Sequence, residues 1–117
     1  MATILIVDDE EPVRELLALL LQDGGYRTLK AIHGAQALEL MAKEHADLVI
    51  SDVMMPVLNG ADLCRRLKAK PDTWSIPVIL MSSAGRRSAD STGSDAFLAK
   101  PFDLTELEAL VQRWIPV

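Results

Sequence analysis

The chain has 117 residues, 50% apolar and 25% charged, with 12 basic side chains against 17 acidic ones. That length fits one domain spanning residues 1–117, the net charge of −5 argues against direct nucleic-acid binding, which needs clustered Lys and Arg, and the apolar fraction excludes a disordered chain. No apolar run approaches the roughly 20 residues that would insert in a bilayer, the N-terminus lacks signal-peptide features, and the single cysteine, Cys64, excludes an internal disulfide and fits a reducing, cytoplasmic compartment.

Thr3–Val7 (TILIV) is continuously apolar and β-branched, the pattern of a strand buried on both faces. A helix follows, with Pro12 in its first turn and Val13, Leu16, Leu17, Leu20 and Leu21 at helical spacing, stopped by Gly24 and Gly25. Arg27–Ile32 reads as a less apolar strand nearer a sheet edge, Ala35–Glu44 as a helix with Leu38 and Met41 inward, and Asp47–Ser51 as a buried strand. The loop Asp52–Gly60 leads to a helix with Leu63 and Leu67 inward. Pro77–Ser82 and Ala96–Ala99 are the fourth and fifth strands. Asp103 caps a last helix, with Glu106 three residues on in a capping box, and Leu107, Leu110, Val111 and Trp114 form its apolar stripe. Strand–helix alternation predicts an α/β protein with a five-stranded, doubly wound parallel sheet covered on both faces. Such sheets place their chemistry beyond the carboxyl ends of the strands, where strand order reverses.

Asp8, Asp9, Glu10 and Glu11 follow the first strand, and Asp52 follows the third. The fourth strand ends in Ser82-Ser83 and the fifth in Lys100-Pro101. With strand order 2-1-3-4-5 the carboxylates converge, and a divalent cation relieves their repulsion. Mg²⁺ suits an all-oxygen site that keeps waters and meets phosphate oxygens. A metal, the Lys100 ammonium and the Ser82 hydroxyl around Asp52 can stabilise a phosphoryl group in transfer, with Asp52 as the nucleophile of an acyl phosphate.

The set Asp8-Asp9, Asp52-Val53-Met54-Met55-Pro56-Val57-Leu58-Asn59-Gly60, Ser82 and Lys100-Pro101 resembles the receiver domain of two-component response regulators. The resemblance covers essentially the whole chain and implies a flavodoxin-like fold. It implies that Asp52 accepts a phosphoryl group from a histidine kinase or histidine phosphotransfer protein, as a phosphoacceptor that catalyses its own phosphorylation and dephosphorylation rather than a turnover enzyme. Asp9 would be the main Mg²⁺ ligand, with Asp8 acting through water, Asp52 beside them and the Met54 backbone carbonyl completing the protein ligands. Ser82 would move to bind the phosphoryl group, Lys100 would pair with it, and Phe97 matches the aromatic switch position. The Lys100-Pro101 peptide is expected to be cis, in the one bond type that tolerates it.

Each residue also has a plainer reading. Asp8 and Asp9 could be solvated carboxylates favoured at a helix N-terminus, Asp52 a turn residue before Pro56, and Lys100 a solvated strand-end lysine. Ser83 offers a hydroxyl beside Ser82. Phe97 could be core, Met54, Met55 and Met81 packing or loop residues, and Cys64 an inert thiol. His33 and His45 stand isolated, and Trp74 and Trp114 are structural by default. Four acidic residues after the first strand repel a flavin phosphate. A haloacid-dehalogenase-type phosphatase would need an acid/base Asp where Met54 stands. A pseudo-receiver acting as a binding module is the other alternative.

Two departures from the family pattern stand out. Between Ser82 and Lys100 the chain is about one helical turn short of the usual receiver spacing. No Leu, Ile, Val, Met or aromatic residue lies between Ser83 and Ala96, so helix four there is expected to be short, distorted or mobile. The face made by helix four, the fifth strand and the last helix is where receivers meet a downstream protein partner or self-associate. A thin cover would also expose apolar sheet around Phe97 and Ala99. Met54 and Ala84 occupy the positions two after the nucleophile and two after Ser82, and neither positions water by a side-chain hydrogen bond, so slow self-dephosphorylation is expected. The chain resembles a stand-alone response regulator without an output domain, or a receiver cut from a longer chain.

Overall fold

A computed structural model describes residues 1–84 and 93–115. Five parallel strands, β1 (Thr3–Val7), β2 (Arg27–Ala31), β3 (Leu48–Asp52), β4 (Val78–Ser82) and β5 (Ala96–Ala99), lie in the order β2-β1-β3-β4-β5. Four helices are described: α1 (Glu11–Asp23), α2 (Gly34–Lys43), α3 (Gly60–Lys68) and α4 (Leu104–Trp114). This is the expected doubly wound sheet, and the short apolar runs become strands because they are buried on both faces. Every residue of β1, β3 and β4 is buried, whereas β2 at its edge is largely open, as its mixed composition predicts.

The period-two alternation of a strand divides the core into two layers. Leu5, Val7, Val49, Val78 and Leu80 face α2 and α3, where Ala37, Leu63 and Leu67 close the layer. Ile4, Ile6, Leu48, Ile50, Ile79 and Met81 face α1 and α4, where Leu17, Leu21, Leu107 and Val111 meet them. Leu16 departs from the expected stripe. It is 52% exposed, because α1 rests on the sheet through Leu17, Ala18 and Leu21.

Capping sets the helix starts. The Asp103 carboxylate accepts the Glu106 N–H at 2.8 Å and the Asn59 side-chain oxygen accepts the Asp62 N–H at 2.8 Å. His33 Nδ1 accepts the Gln36 N–H at 3.0 Å, which starts α2 at Gly34 rather than Ala35. Asp52 closes β3 instead of opening the following loop. The expected irregularity of helix four falls on residues 85–92 and lies outside the described residues. In β5, Ala99 is exposed and Phe97 is half-buried.

The sheet's register aims the site. Val7 pairs with Ser51, so Asp8 and Asp52 emerge level from neighbouring strands on the two sides of the β1/β3 order reversal. At the far end of the sheet, Asp95 accepts the Val78 N–H at 2.8 Å and the Lys68 ammonium at 2.7 Å, anchoring the start of β5. Ser82 then pairs with Ala99, and the Lys100 N–H donates to the Ser82 carbonyl at 3.0 Å.

Candidate functional site

Three carboxylates converge at the carboxyl end of the sheet. Asp8, Glu10 and Asp52 each offer an oxygen within 4.8 Å of the others. Asp8 is fully buried, and the side chain of Asp52 is 8% exposed. Asp8 is fixed on both oxygens: Oδ1 accepts the Glu10 N–H at 2.9 Å and Oδ2 accepts the Lys100 ammonium at 2.9 Å. The Arg14 guanidinium donates to the Asp8 carbonyl at 2.9 Å, so α1 braces the turn that carries the acids.

Lys100 Nζ also lies 3.3 Å from Asp52 Oδ1 and 3.8 Å from Glu10 Oε1. Among the described residues, one ammonium thus faces three carboxylates. Burial pushes the Asp52 carboxyl above the ordinary aspartate range; Lys100 opposes that shift, while Asp8 and Asp9 add to it. For Lys100, burial works against the charged form, but the contacts with Asp8 and Asp52 outweigh it and the net shift is upward. The ammonium therefore stays charged at neutral pH. An excess of oxygen anions on rigid strand ends is the donor set of a hard divalent cation.

The other sequence-predicted residues distribute around this centre. Asp9 is exposed beside the cluster, close enough to act on Asp52 electrostatically. Glu10 supplies the third clustered carboxylate; its only signal in the sequence is the run of four acids after β1. Ser82 is buried at the end of β4, its hydroxyl oxygen accepting the Ala84 N–H at 2.9 Å, whereas Ser83 is exposed. Phe97 packs against the layer that contains α2 and α3. The Lys100-Pro101 peptide is cis. Met54 is 69% exposed on the β3–α3 loop. Cys64 is buried among apolar residues, and burial pushes its thiol up, so it remains protonated and unreactive at neutral pH. Neither histidine enters the site: His33 caps α2 and His45 pairs with Asp47.

The end of the Asp52–Gly60 motif folds back on its beginning. Gly60, the first residue of α3, lies flat against the main chain of Asp52; a Cβ there would overlap the Asp52 carbonyl. Between them the loop passes through Val57 at φ 70°, a left-handed conformation that a β-branched residue adopts at a cost. Val57 is 78% exposed and packs little. Val57→Gly is therefore expected to raise stability by about 1 kcal/mol, read as a higher urea midpoint at unchanged m value. A lower midpoint would show that the side chain contributes more than its backbone costs.

A buried aspartate, a carboxylate cluster and a lysine at the switch point of a doubly wound sheet define a domain built for phosphoryl chemistry on aspartate. The family model for the response regulator receiver domain matches residues 4–112, and the chain belongs to that family. Sporulation initiation phosphotransferase F of Bacillus subtilis is 35% identical over 118 residues, covering 97% of this chain and 94% of that protein. The phosphate regulon transcriptional regulatory protein PhoB of Pseudomonas aeruginosa is 39% identical over 111 residues, covering 92% of this chain; the chain spans 48% of the length of PhoB. Among solved structures, the response regulator TrrA of Thermotoga maritima, in complex with Mg(2+)-BeF, superposes with a TM-score of 0.90 at 32% identity, covering 98% of this chain and 100% of that one. Receiver domains are signalling phosphoacceptors that interact with histidine kinases and phosphotransfer proteins.

Proposed function

We propose that residues 1–117 form one receiver domain that takes a phosphoryl group from the phosphohistidine of a histidine kinase or phosphotransfer protein onto Asp52, with Mg²⁺ bound. The observation that carries this is the placement of Asp52, buried at the β1/β3 switch point with the Lys100 ammonium 3.3 Å from its carboxylate. An Asp52 oxygen attacks phosphorus as the P–N bond breaks, and the electron pair leaves with the histidine nitrogen, which is reprotonated. Lys100 neutralises charge on the phosphoryl oxygens, and the Ser82 hydroxyl, released from the Ala84 N–H, donates to one of them. Asp8, Asp9, Asp52 and the Met54 carbonyl are the protein ligands assigned to Mg²⁺, with Glu10 at the rim. A bound cation would offset the repulsion between these carboxylates and the phosphoryl oxygens. Phe97 is assigned the switch role, its half-buried ring following Ser82.

Acetyl phosphate with Mg²⁺ should give a single phosphoryl mass increment on the protein. No adduct would mark a scaffold module, and sustained phosphate release would mark a phosphatase. The downstream contact, to a protein partner or a second copy, is assigned to the face that includes β5 and α4. Met54 and Ala84 both point to a long-lived acyl phosphate: their exposed side chains hold no group that could orient water. A lifetime of minutes or more is expected in Mg²⁺ after the donor is removed. Decay within seconds would contradict it.

A further inference from the structure

The β3–α3 loop carries Met54 and is strained at Val57. A strained loop persists only where its surroundings over-determine it. Its restraints on the β3 side are local: Gly60 N–H to the Val53 carbonyl at 2.9 Å and Leu58 N–H to the Pro56 carbonyl at 2.8 Å. A further backbone restraint comes from a different part of the chain. The Gly34 N–H, at the start of α2, donates to the Leu58 carbonyl at 3.1 Å. Gly34 is buried there, and a Cβ on it would stand 2.6 Å from the Leu58 carbonyl oxygen and 3.0 Å from both Leu58 Cβ and Cδ2. The backbone of Gly34 is not in the left-handed region, so glycine is required for closeness alone.

We infer that Gly34 is a positioning residue of the phosphoacceptor site: its side-chain-free contact with Leu58 clamps the β3–α3 loop against its own strain and so sets where Met54 presents its carbonyl. The inference rests on the proposed function for the assignment of that carbonyl to Mg²⁺. Leu58 lies one residue past the strained Val57 and two before Gly60, which abuts Asp52. A displacement at Leu58 therefore has short paths to both Met54 and the nucleophile. A methyl group at position 34 forces α2 and the loop apart, and the strain at Val57 favours the separation.

The test compares Gly34→Ala with His33→Ala. The second variant removes the α2 cap, through the Gln36 N–H, without altering the contact to Leu58. Both should lower thermal stability. Only Gly34→Ala should weaken Mg²⁺ binding, by about ten-fold as for other outer-shell supports of a metal site, and slow acetyl phosphate uptake. Wild-type Mg²⁺ affinity in Gly34→Ala, or equal weakening in His33→Ala, overturns the inference. Hydrogen exchange on the wild type decides the matter if Gly34→Ala does not fold. The Gly34 amide should exchange slowly without metal and more slowly with Mg²⁺ and beryllofluoride, and fast or unchanged exchange overturns the clamp. A wild type that neither binds Mg²⁺ nor takes up phosphate would instead overturn the proposed function, and this inference with it. A failure confined to Gly34→Ala leaves that function standing.

Discussion

Asp52→Asn should abolish phosphoryl uptake from acetyl phosphate while leaving the metal-free fold as stable as the wild type or more so. The two halves have separate causes. Asparagine keeps the shape and the carbonyl oxygen of the side chain but is not a nucleophile toward phosphorus, so no acyl phosphate can form. Stability follows from the carboxyl's upward shift on folding, caused by burial and by Asp8 and Asp9 and only partly opposed by Lys100. A group whose pKa is raised in the folded state favours folding when protonated. That contribution is lost as pH rises through the folded value, so at neutral pH the ionised Asp52 opposes folding. Asparagine removes that cost, and the wild type should approach the variant's stability as pH falls. Intact-protein mass spectrometry reads the first half, and urea unfolding without metal at two pH values reads the second. Phosphoryl uptake by Asp52→Asn would move the acceptor elsewhere. A large loss of stability at neutral pH would mean that the carboxylate is held by more than the Lys100 contact.

The fold was legible because this sheet is buried on both faces. TILIV, DLVIS and PVILMS are short β-branched apolar runs that alternate with helical patterns, and the less apolar Arg27–Ile32 reads as nearer an edge. The site was legible to the extent that its residues stand at strand ends, since register places Asp8 beside Asp52 once strand order is known. What sequence could not disclose were contacts that depend on the path of a loop. The resemblance singles out Asp9, and nothing in the run of acids shows that the turn closed by the Glu10 N–H on Asp8 also brings Glu10 within 4.8 Å of both buried aspartates. His33 looked isolated because capping by an imidazole nitrogen has no strong signature. Gly34 matters through what a methyl group would strike, and that is a property of the fold. Leu16 failed the stripe because five apolar positions cover a wider arc than α1 presents to the sheet.

Lys100→Met should lower metal-free stability by about 3 kcal/mol, the low end of the range for breaking a buried ion pair from one side. Asp8 is fully buried and its Oδ2 has the ammonium at 2.9 Å. Without it, Asp8 and Asp52 face each other with no side-chain cation among the described residues, and methionine fills the space without supplying charge. The low end applies because Glu10, 64% exposed at the same cluster, leaves one side open to water. Added Mg²⁺ should recover much of the loss. A ligand that binds only the folded state stabilises it in proportion to the logarithm of its concentration over its dissociation constant, and the wild-type ammonium competes for the same carboxylates. The variant should therefore bind Mg²⁺ more tightly and show the larger Mg²⁺-induced rise in melting temperature. Phosphoryl uptake should nevertheless fall, because the cation that neutralises the transferred group is gone. The two effects oppose each other, which separates electrostatic balance from general damage: a merely misfolded variant would lose both. Equal Mg²⁺-induced shifts in the two proteins would show that Lys100 and the metal do not share these carboxylates.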